Sequence, residues 1–388
     1  MTNGAGKPTA TERLMRIAFT IGAMGLVLCL VGALFDGRQF FRSYLLAYVF
    51  WFTIPMGSLG ILMLHHLVGG AWGWVIRRLL EAATSTLPLL ALLFVPLLFG
   101  LEEVYPWARA QEAGADEILR HKLGYLNAPF FTARSAFYLV LWGALAYLLS
   151  RWSREQDRSS PTAERRMRRL SAPGLGLYVL SMSFASVDWI MSIEPHWFST
   201  IYGVMWIINQ AVAALAFVIL ALGCLEAREP FSSRLRPDHF HDLGNLLLAF
   251  VMLWAYMAFS QYLIIWSGNL AEEIPWYLRR TAGQWQSVPV VLILFHFVVP
   301  FVLLLMRDIK RRSKALLWIA AGILGMRLVD TFWLIVPGFE GAALHWMDLA
   351  LIAGIGGIWL GVFLWRLEKS PLLPLVAPLA AEESVSHA

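Results

Sequence analysis

Long runs of apolar residues recur along the chain, separated by short polar stretches. A bilayer core about 30 Å thick is crossed by roughly 20 mainly apolar helical residues, and these runs have that length. Hydrophobic residues make up 59% of the chain and charged residues only 15%, which argues against an ordinary water-soluble domain. The sequence therefore predicts an all-α integral membrane protein with about ten spans. The predicted spans are 16–35, 44–66, 74–101, 130–149, 174–193, 200–225, 243–266, 288–306, 315–336 and 345–364.

These runs divide the chain into three regions. Residues 1–15 form a polar N-terminal segment, residues 16–366 the transmembrane domain, and residues 367–388 a flexible tail. No small-residue cleavage pattern follows the first run, so we expect that run to stay in the membrane. The third span contains Pro88 and Pro96 and is expected to kink.

Basic residues concentrate in alternate loops, and this pattern sets the predicted orientation. Loops rich in Lys and Arg stay on the cytoplasmic side, so both termini are predicted to lie in the cytoplasm. The opposite loops are mainly acidic, and Arg38 and Arg42 in the first of them are exceptions. The basic loops after spans 4 and 8 contain Arg151, Arg154, Arg158, Arg165, Arg166, Arg168, Arg169, Lys310, Arg311, Arg312 and Lys314.

The sequence offers no pattern for a tightly bound cofactor. Cys29 and Cys224 are far apart, and neither has the Cys or His spacing of an iron–sulfur, haem or zinc site. Phosphate-binding, zinc-protease and serine-hydrolase motifs are absent as well. We expect no metal and no cofactor within the chain, and no catalysis by the isolated chain.

Asp188 is an ionisable residue in the outer third of span 5. Tyr178, Ser181 and Ser192 share its helical face, so the stripe is expected to face protein or water. A buried carboxylate is costly in a membrane unless it is paired or hydrated. Asp188 is therefore a candidate for quinone binding or proton transfer. It has two alternatives, in which it only ties neighbouring helices together or reaches the outer membrane interface.

Span 9 contains Arg327 and Asp330 on one helical face, close enough to form an ion pair. The pair could be purely structural or one station of a proton path. His296 lies near the middle of span 8, where an imidazole can hydrogen-bond or relay a proton. A structural core histidine is an equally good interpretation, and a haem ligand is a weaker one.

Further polar residues lie within spans 6 and 7. Asn209 and Gln210 are in the middle of span 6, where interhelical hydrogen bonding is the default role of an amide. In span 7, Tyr256 and Gln261 are candidates for contact with a quinone head group or a hydrated path. Asn245, Ser260 and Ser267 share the helical face of Tyr256.

Charged residues near the cytoplasmic side are candidates for proton entry. Glu81 and its neighbours Arg77 and Arg78 lie near the start of span 3, and Asp242 at the start of span 7. For the two arginines we expect simple snorkelling to the membrane surface.

The stretch FHDLGNLLLAFVMLWAYMAFSQYLIIWSGNLAEEIPWYLRR resembles a family of bacterial membrane proteins. YLNAPFFTARSAFYLVLW, SMSFASVDWIMSIEPHWFSTIYG and RLVDTFWLIVP agree with the same family. It is the NrfD-like (polysulfide reductase membrane-subunit) family, and the likeness is to the smaller such subunit of bacterial alternative complex III, the quinol:cytochrome c oxidoreductase quinone-binding subunit 2. The resemblance covers roughly residues 13–369.

This resemblance implies a location in the bacterial cytoplasmic (inner) membrane, an architecture and a set of partners. It implies two four-helix bundles, from spans 2–5 and 6–9, with spans 1 and 10 peripheral. Haem and iron–sulfur groups would lie in partner subunits, and menaquinone or ubiquinone would be the quinone. The implied partners are a larger NrfD-like subunit, an iron–sulfur subunit, multihaem and monohaem cytochrome c subunits and a terminal oxidase, with no nucleic acid.

The leading hypothesis is a membrane subunit of a respiratory or photosynthetic quinol:electron-acceptor oxidoreductase. Such a subunit would contribute quinone contact, a proton path, or both. One alternative is a purely structural anchor of the complex. A second is a secondary transporter, because internal repeats and polar residues at the bilayer midplane are also transporter features.

Overall fold

The computed structural model describes residues 9–158, 162–341 and 343–375. Residues 1–8 of the predicted N-terminal segment and 376–388 of the predicted tail lie outside this part. All regular structure within it is helical, and ten helices are long and apolar enough to cross a membrane. The protein is thus an all-α, multi-pass membrane protein. The ten spans are Ala10–Ala33, Gly37–Val68, Ala71–Phe99, Ala128–Asp157, Ala163–Ile193, Tyr202–Leu225, Pro237–Gly268, Gly283–Leu305, Ser313–Gly338 and Trp346–Glu368.

Several helices extend well beyond their apolar runs. Span 4 continues to Asp157, and span 5 begins at Ala163, eleven residues before the predicted boundary of 174. The added turns are rich in arginine, whose backbone forms helix as readily as that of apolar residues. Hydrophobicity therefore locates the membrane core of each helix, whereas the helix ends lie in polar sequence.

Span 3 is broken rather than smoothly kinked. It consists of two helices, Ala71–Thr84 and Leu87–Phe99, and Pro88 lies in the first turn of the second. The Thr86 hydroxyl donates to the Ala83 carbonyl at 2.6 Å and accepts from the Trp359 indole of span 10 at 2.9 Å. The predicted irregularity at Pro88 is confirmed, while Pro96 lies inside the second helix.

Span 8 contains a π-helical segment that the sequence analysis did not predict. Residues Leu292–Val298 form it, between the α-helical segments Val288–Val291 and Val299–Leu305. Pro300 has no backbone N–H to donate to the carbonyl of His296, and its ring crowds that carbonyl. Such π segments are frequent at functional sites, and this one includes His296.

Eight of the ten spans form two groups with a shared wall. Spans 2–5 pack together, spans 6–9 form a second group, and span 6 packs against span 2. We call these groups the first half and the second half. At the wall the backbones come so close that a Cβ atom on Gly57 would lie 2.0 Å from the Gln210 carbonyl oxygen. Spans 1 and 10 pack against each other and span 10 against span 2, outside both halves.

The two ends of the molecule differ in charge. We call the end with the loops after spans 2, 4, 6 and 8 the basic face and the opposite end the acidic face. Short helices occupy these loops. They are Leu101–Val104, Ala110–Ala115, Glu117–Lys122 and Ile274–Thr281 on the acidic face, and Phe231–Arg234 and Arg307–Arg311 on the basic face.

Arg38 and Arg42 lie in the first two turns of span 2, at the acidic face, and both have local partners. Arg38 donates to Glu103 at 3.2 Å, and the Arg42 guanidinium lies 4.9 Å from the ring centre of Phe339. The acidic loop after span 3 therefore supplies a counter-charge for the start of span 2, which explains why two arginines are tolerated there.

Candidate functional site

Asp188 is held by three hydrogen bonds at the acidic end of span 5. Arg134 of span 4 donates to both carboxylate oxygens, each at 2.9 Å, and the Tyr138 hydroxyl donates at 3.0 Å. The carboxylate is completely buried. A bidentate arginine pair of this kind is strong and geometrically specific. We call Arg134, Tyr138 and Asp188 the Asp188 clamp.

Arg134 is itself fixed by its surroundings. A third guanidinium nitrogen donates to the Tyr125 carbonyl at 2.9 Å. The guanidinium carbon lies 3.8 Å from the ring centre of Tyr125 and 4.2 Å from that of Phe130. Burial is the main reason that the pKa of Tyr125, in the loop before span 4, is raised to about 12, so this phenol stays neutral at physiological pH. The clamp is therefore tightly ordered.

Two of the other residues of the predicted stripe on span 5 are bonded to neighbouring spans, and the third is bonded within span 5. The Tyr178 hydroxyl donates to Gln210 of span 6 at 2.6 Å, and Ser181 accepts from the Trp142 indole of span 4 at 2.9 Å. The Ser192 hydroxyl donates to the Asp188 carbonyl. The stripe faces protein, which is one of the two surroundings that the sequence predicted for it.

Glu81 lies in a second ion cluster, nearer the basic face. It accepts from Arg77 at 2.9 Å, from Arg78 at 2.7 Å and from Ser153 of span 4 at 2.6 Å. Arg78 also pairs with Asp157. The expectation that the two arginines snorkel to the surface was wrong, because both are buried and use their donors on Glu81 and Ser153.

The second half contains a cluster with a different character. Arg327 pairs with Asp330 on span 9, as predicted, and both side chains are buried. His296 of the π-helical segment is fully buried, and its ring centre lies 4.1 Å from that of Trp254 in span 7. The π-helical segment packs against span 9. We call His296, Arg327 and Asp330 the His296 cluster.

Several buried polar atoms of the His296 cluster make no hydrogen bond within the part of the chain that the structure describes. Within the described ranges neither ring nitrogen of His296 has a hydrogen-bond partner, nor do Nε and Nη2 of Arg327. The same holds for both amide atoms of Asn209, which is buried in span 6. Most buried polar groups in folded proteins are paired, because an unpaired one costs about 1–3 kcal/mol. Open donors and acceptors next to a carboxylate make this cluster suited to exchanging protons with water or a ligand.

Two candidates from the sequence lie apart from these clusters. Tyr256 faces away from the protein, with 66% of the residue exposed at about the middle of span 7. Asp242 is half-exposed at the start of the same span, 3.7 Å from His241. Gln261, in contrast, is buried and lines a cleft at the acidic face.

Arg280 and Glu194 form a clamp that the sequence analysis missed. Glu194, just after span 5, pairs with Arg279 at 2.9 Å and with the buried Arg280. Arg280 also donates to the Leu334 carbonyl of span 9 at 2.8 Å. This clamp joins the acidic ends of the two halves. The available signal was the pair of adjacent arginines, Arg279 and Arg280, in a short helix that also contains Trp276.

The sequence analysis also missed Arg134, although its place along span 4 could have identified it. It lies in the second turn of span 4 and Asp188 in the last turn of span 5, so antiparallel neighbours place them at the same depth.

Comparisons with known proteins add no family to these observations. No model of a known protein family matches the chain, and no curated protein matches it. Among the described residues no group of three or more His, Cys, Asp or Glu side chains is placed to hold a metal ion.

Proposed function

We propose that this chain is a membrane subunit of a quinol:electron-acceptor oxidoreductase, related to the NrfD-like subunits of alternative complex III. In this proposal it contributes quinone contact, a proton path, or both. Electrons pass to iron–sulfur and haem groups of partner subunits. The termini lie in the cytoplasm, the basic face is the cytoplasmic face, and the membrane is the bacterial inner membrane.

The observation that supports a proton path most directly is the His296 cluster. An imidazole can accept a proton on one nitrogen and release one from the other, and His296 is buried on the segment that packs against span 9, which carries the Arg327–Asp330 pair. Charged and protonatable groups inside a membrane are expensive and are typical of proton relays. The unpaired nitrogens of His296 and Arg327 are able to hydrogen-bond with a water molecule or a ligand.

Oxidation of a quinol would require such a proton path. Oxidation of one quinol releases two electrons and two protons, and the protons need acceptors other than the electron carriers. The His296 cluster supplies an imidazole and a carboxylate for this role. Asp188 is the weaker candidate, because Arg134 and Tyr138 already occupy its oxygens.

The structural-anchor alternative is favoured by one observation in the first half. The Asp188 clamp and the Glu81 cluster join spans 3, 4 and 5 through hydrogen bonds that occupy both carboxylates. We therefore assign those two clusters to assembly and stability, and the His296 cluster to function.

The test uses the membrane assembly purified through a tag on this chain, with quinol oxidation and subunit content measured on one sample. Arg327→Met combined with Asp330→Leu removes both charges, so that neither is left buried and unpaired. The control is Arg151→Met with Glu155→Leu, an exposed pair at the basic face.

We expect the Arg327/Asp330 double variant to assemble and to lose at least about tenfold in turnover, which is roughly 1.4 kcal/mol of barrier. The control is expected to keep wild-type turnover. Unchanged turnover in the Arg327/Asp330 variant would favour the anchor alternative. An intact assembly that oxidises no quinol would contradict the proposed function itself.

A further inference from the structure

A cleft opens at the acidic face between the end of span 7 and the segment that joins spans 5 and 6. Its volume is about 90 Å³. That is more than the 10–15 Å³ or so that one water molecule needs and well below the 300–1,000 Å³ or so of a typical ligand pocket. The cleft thus has room for part of a head group. Its lining residues are Phe198, Ser199, Thr200, Ile201, Gln261, Ile264, Ile265 and Glu273.

Gln261 brings an unused donor to this cleft. The residue is 1% exposed, and its Oε1 accepts from the Ser199 hydroxyl at 3.2 Å. Its Nε2 makes no hydrogen bond within the part of the chain that the structure describes. The Tyr277 hydroxyl is near enough to interact with Gln261 but does not reach hydrogen-bond geometry. A buried amide N–H without an acceptor is unfavourable, so Nε2 indicates an acceptor on a ligand.

The charge of the lining selects among head groups. Of the eight lining residues one is charged, and it is the acidic Glu273. A phosphate would be repelled by this carboxylate and would find no lysine or arginine among the lining residues. An uncharged hydroxyl group fits better, because it can donate to Glu273 or Ser199 and accept from Gln261.

The cleft is also open to the hydrophobic surface. Ile264 and Phe198, which line it, are both more than half exposed. Trp266, two residues further along span 7, is exposed as well, as expected for an aromatic side chain at the level of lipid head groups. A ligand bound here can keep its tail in the bilayer while only its head enters the cleft.

We propose that this cleft binds the uncharged, hydroxyl-bearing head group of a membrane-soluble amphiphile, with Gln261 Nε2 as donor and Glu273 as acceptor. Two sources share this chemistry, a quinol and a neutral glycolipid. The interpretation of the ligand as a quinol rests on the proposed function, whereas its interpretation as a neutral glycolipid does not.

The experiment is photolabelling of the purified, full-length chain in its membrane assembly, with labelled peptides identified by mass spectrometry. The probes are a photoactivatable short-tailed hydroquinone, a photoactivatable monoglycosyl diacylglycerol and a photoactivatable phosphatidylglycerol as the anionic comparison. Variants are Gln261→Leu, Ser199→Ala in case the first fails to assemble, and the control Gln286→Leu at an exposed glutamine outside the cleft.

We expect at least one neutral probe to label peptides containing residues 198–201 or 261–265, and phosphatidylglycerol to label them weakly. Gln261→Leu should lower this labelling about tenfold, because one hydrogen bond is lost, while Gln286→Leu leaves it unchanged. Labelling that spares both peptides, or that phosphatidylglycerol gives equally well, would overturn the proposal. Quinol oxidation is measured on the same sample and tests the proposed function separately. Failure of the cleft proposal can therefore be distinguished from failure of the proposed function.

Discussion

Asp188 and Asp330 lie in matching sequence but in different surroundings. Each follows a valine and precedes an isoleucine by five residues and a proline by seven, as VDWIMSIEP and VDTFWLIVP. Both lie near the acidic end of their span, and a 3-10 turn follows each, Met191–Ile193 and Val336–Gly338. The two halves therefore each place an aspartate near the acidic end of a span, but Asp188 is one residue before its α-helix ends at Trp189, and Asp330 is five residues before its helix ends at Ile335.

The two aspartates differ in which helix supplies the arginine that pairs with them. Asp188 is paired with Arg134 from the neighbouring span, and Tyr138 completes its hydrogen bonds. Asp330 is paired with Arg327 of its own helix, whose counterpart in the first half is Ala185. Arg327 keeps two nitrogens open, whereas the Asp188 clamp ties two spans together. One half thus uses its aspartate for cohesion, and the other keeps a polar site available.

The largest effect is expected for Arg134→Met. Removing this guanidinium leaves the Asp188 carboxylate buried without a counter-charge, which typically costs about 3–5 kcal/mol. We expect the variant to assemble poorly and to unfold at lower temperature in detergent. Adding Asp188→Asn removes the unpaired charge and should recover much of the loss. Wild-type stability of the single variant would contradict the clamp.

A smaller effect is expected for Tyr138→Phe. This change deletes one hydrogen bond to the Asp188 carboxylate and keeps the ring, so stability should fall by about 2 kcal/mol. The measurement is the unfolding temperature of the purified assembly. Tyr147→Phe, at an exposed tyrosine of the same span, is the matched control and should unfold like wild type.

His296→Leu is expected to change stability by less than about 1 kcal/mol. The replaced imidazole makes no hydrogen bond within the residues that the structure describes, so leucine removes two unsatisfied nitrogens while still filling space beside Trp254. A fall in unfolding temperature as large as that of Arg134→Met would show that the second half is clamped as the first is.

The smallest effect concerns Asp116, in the acidic-face loop of the first half. Backbone hydrogen bonds, first that from Leu119, and then His196, lower the pKa of its carboxyl below the ordinary 3.8. A lowered folded-state pKa gives stability that is present above 3.8 and lost as pH falls through the folded value. Asp116→Asn should therefore unfold slightly earlier than wild type at pH 6, with the difference shrinking towards pH 3. A difference that grows on acidification would contradict this.

Composition and local spacing predicted much of the fold but only part of the site. Ten apolar runs gave ten spans because crossing a bilayer imposes a length. The Arg327–Asp330 pair was predictable because both residues lie on one helix at a spacing of three. Arg134 and Asp188 are on different helices, and their contact depends on relative depth and rotation, which local sequence does not specify. The π-helical segment was hidden because its seven residues are apolar around a single histidine.

The central claim is that the His296 cluster serves function while the Asp188 clamp serves cohesion. Its most direct test is quinol turnover per assembled complex for His296→Leu beside Tyr138→Phe, with unfolding temperature measured on the same samples. We predict that His296→Leu keeps its unfolding temperature and loses turnover about tenfold or more, while Tyr138→Phe loses stability and keeps turnover. Wild-type turnover in His296→Leu, or inactive but stable Tyr138→Phe, would contradict the account.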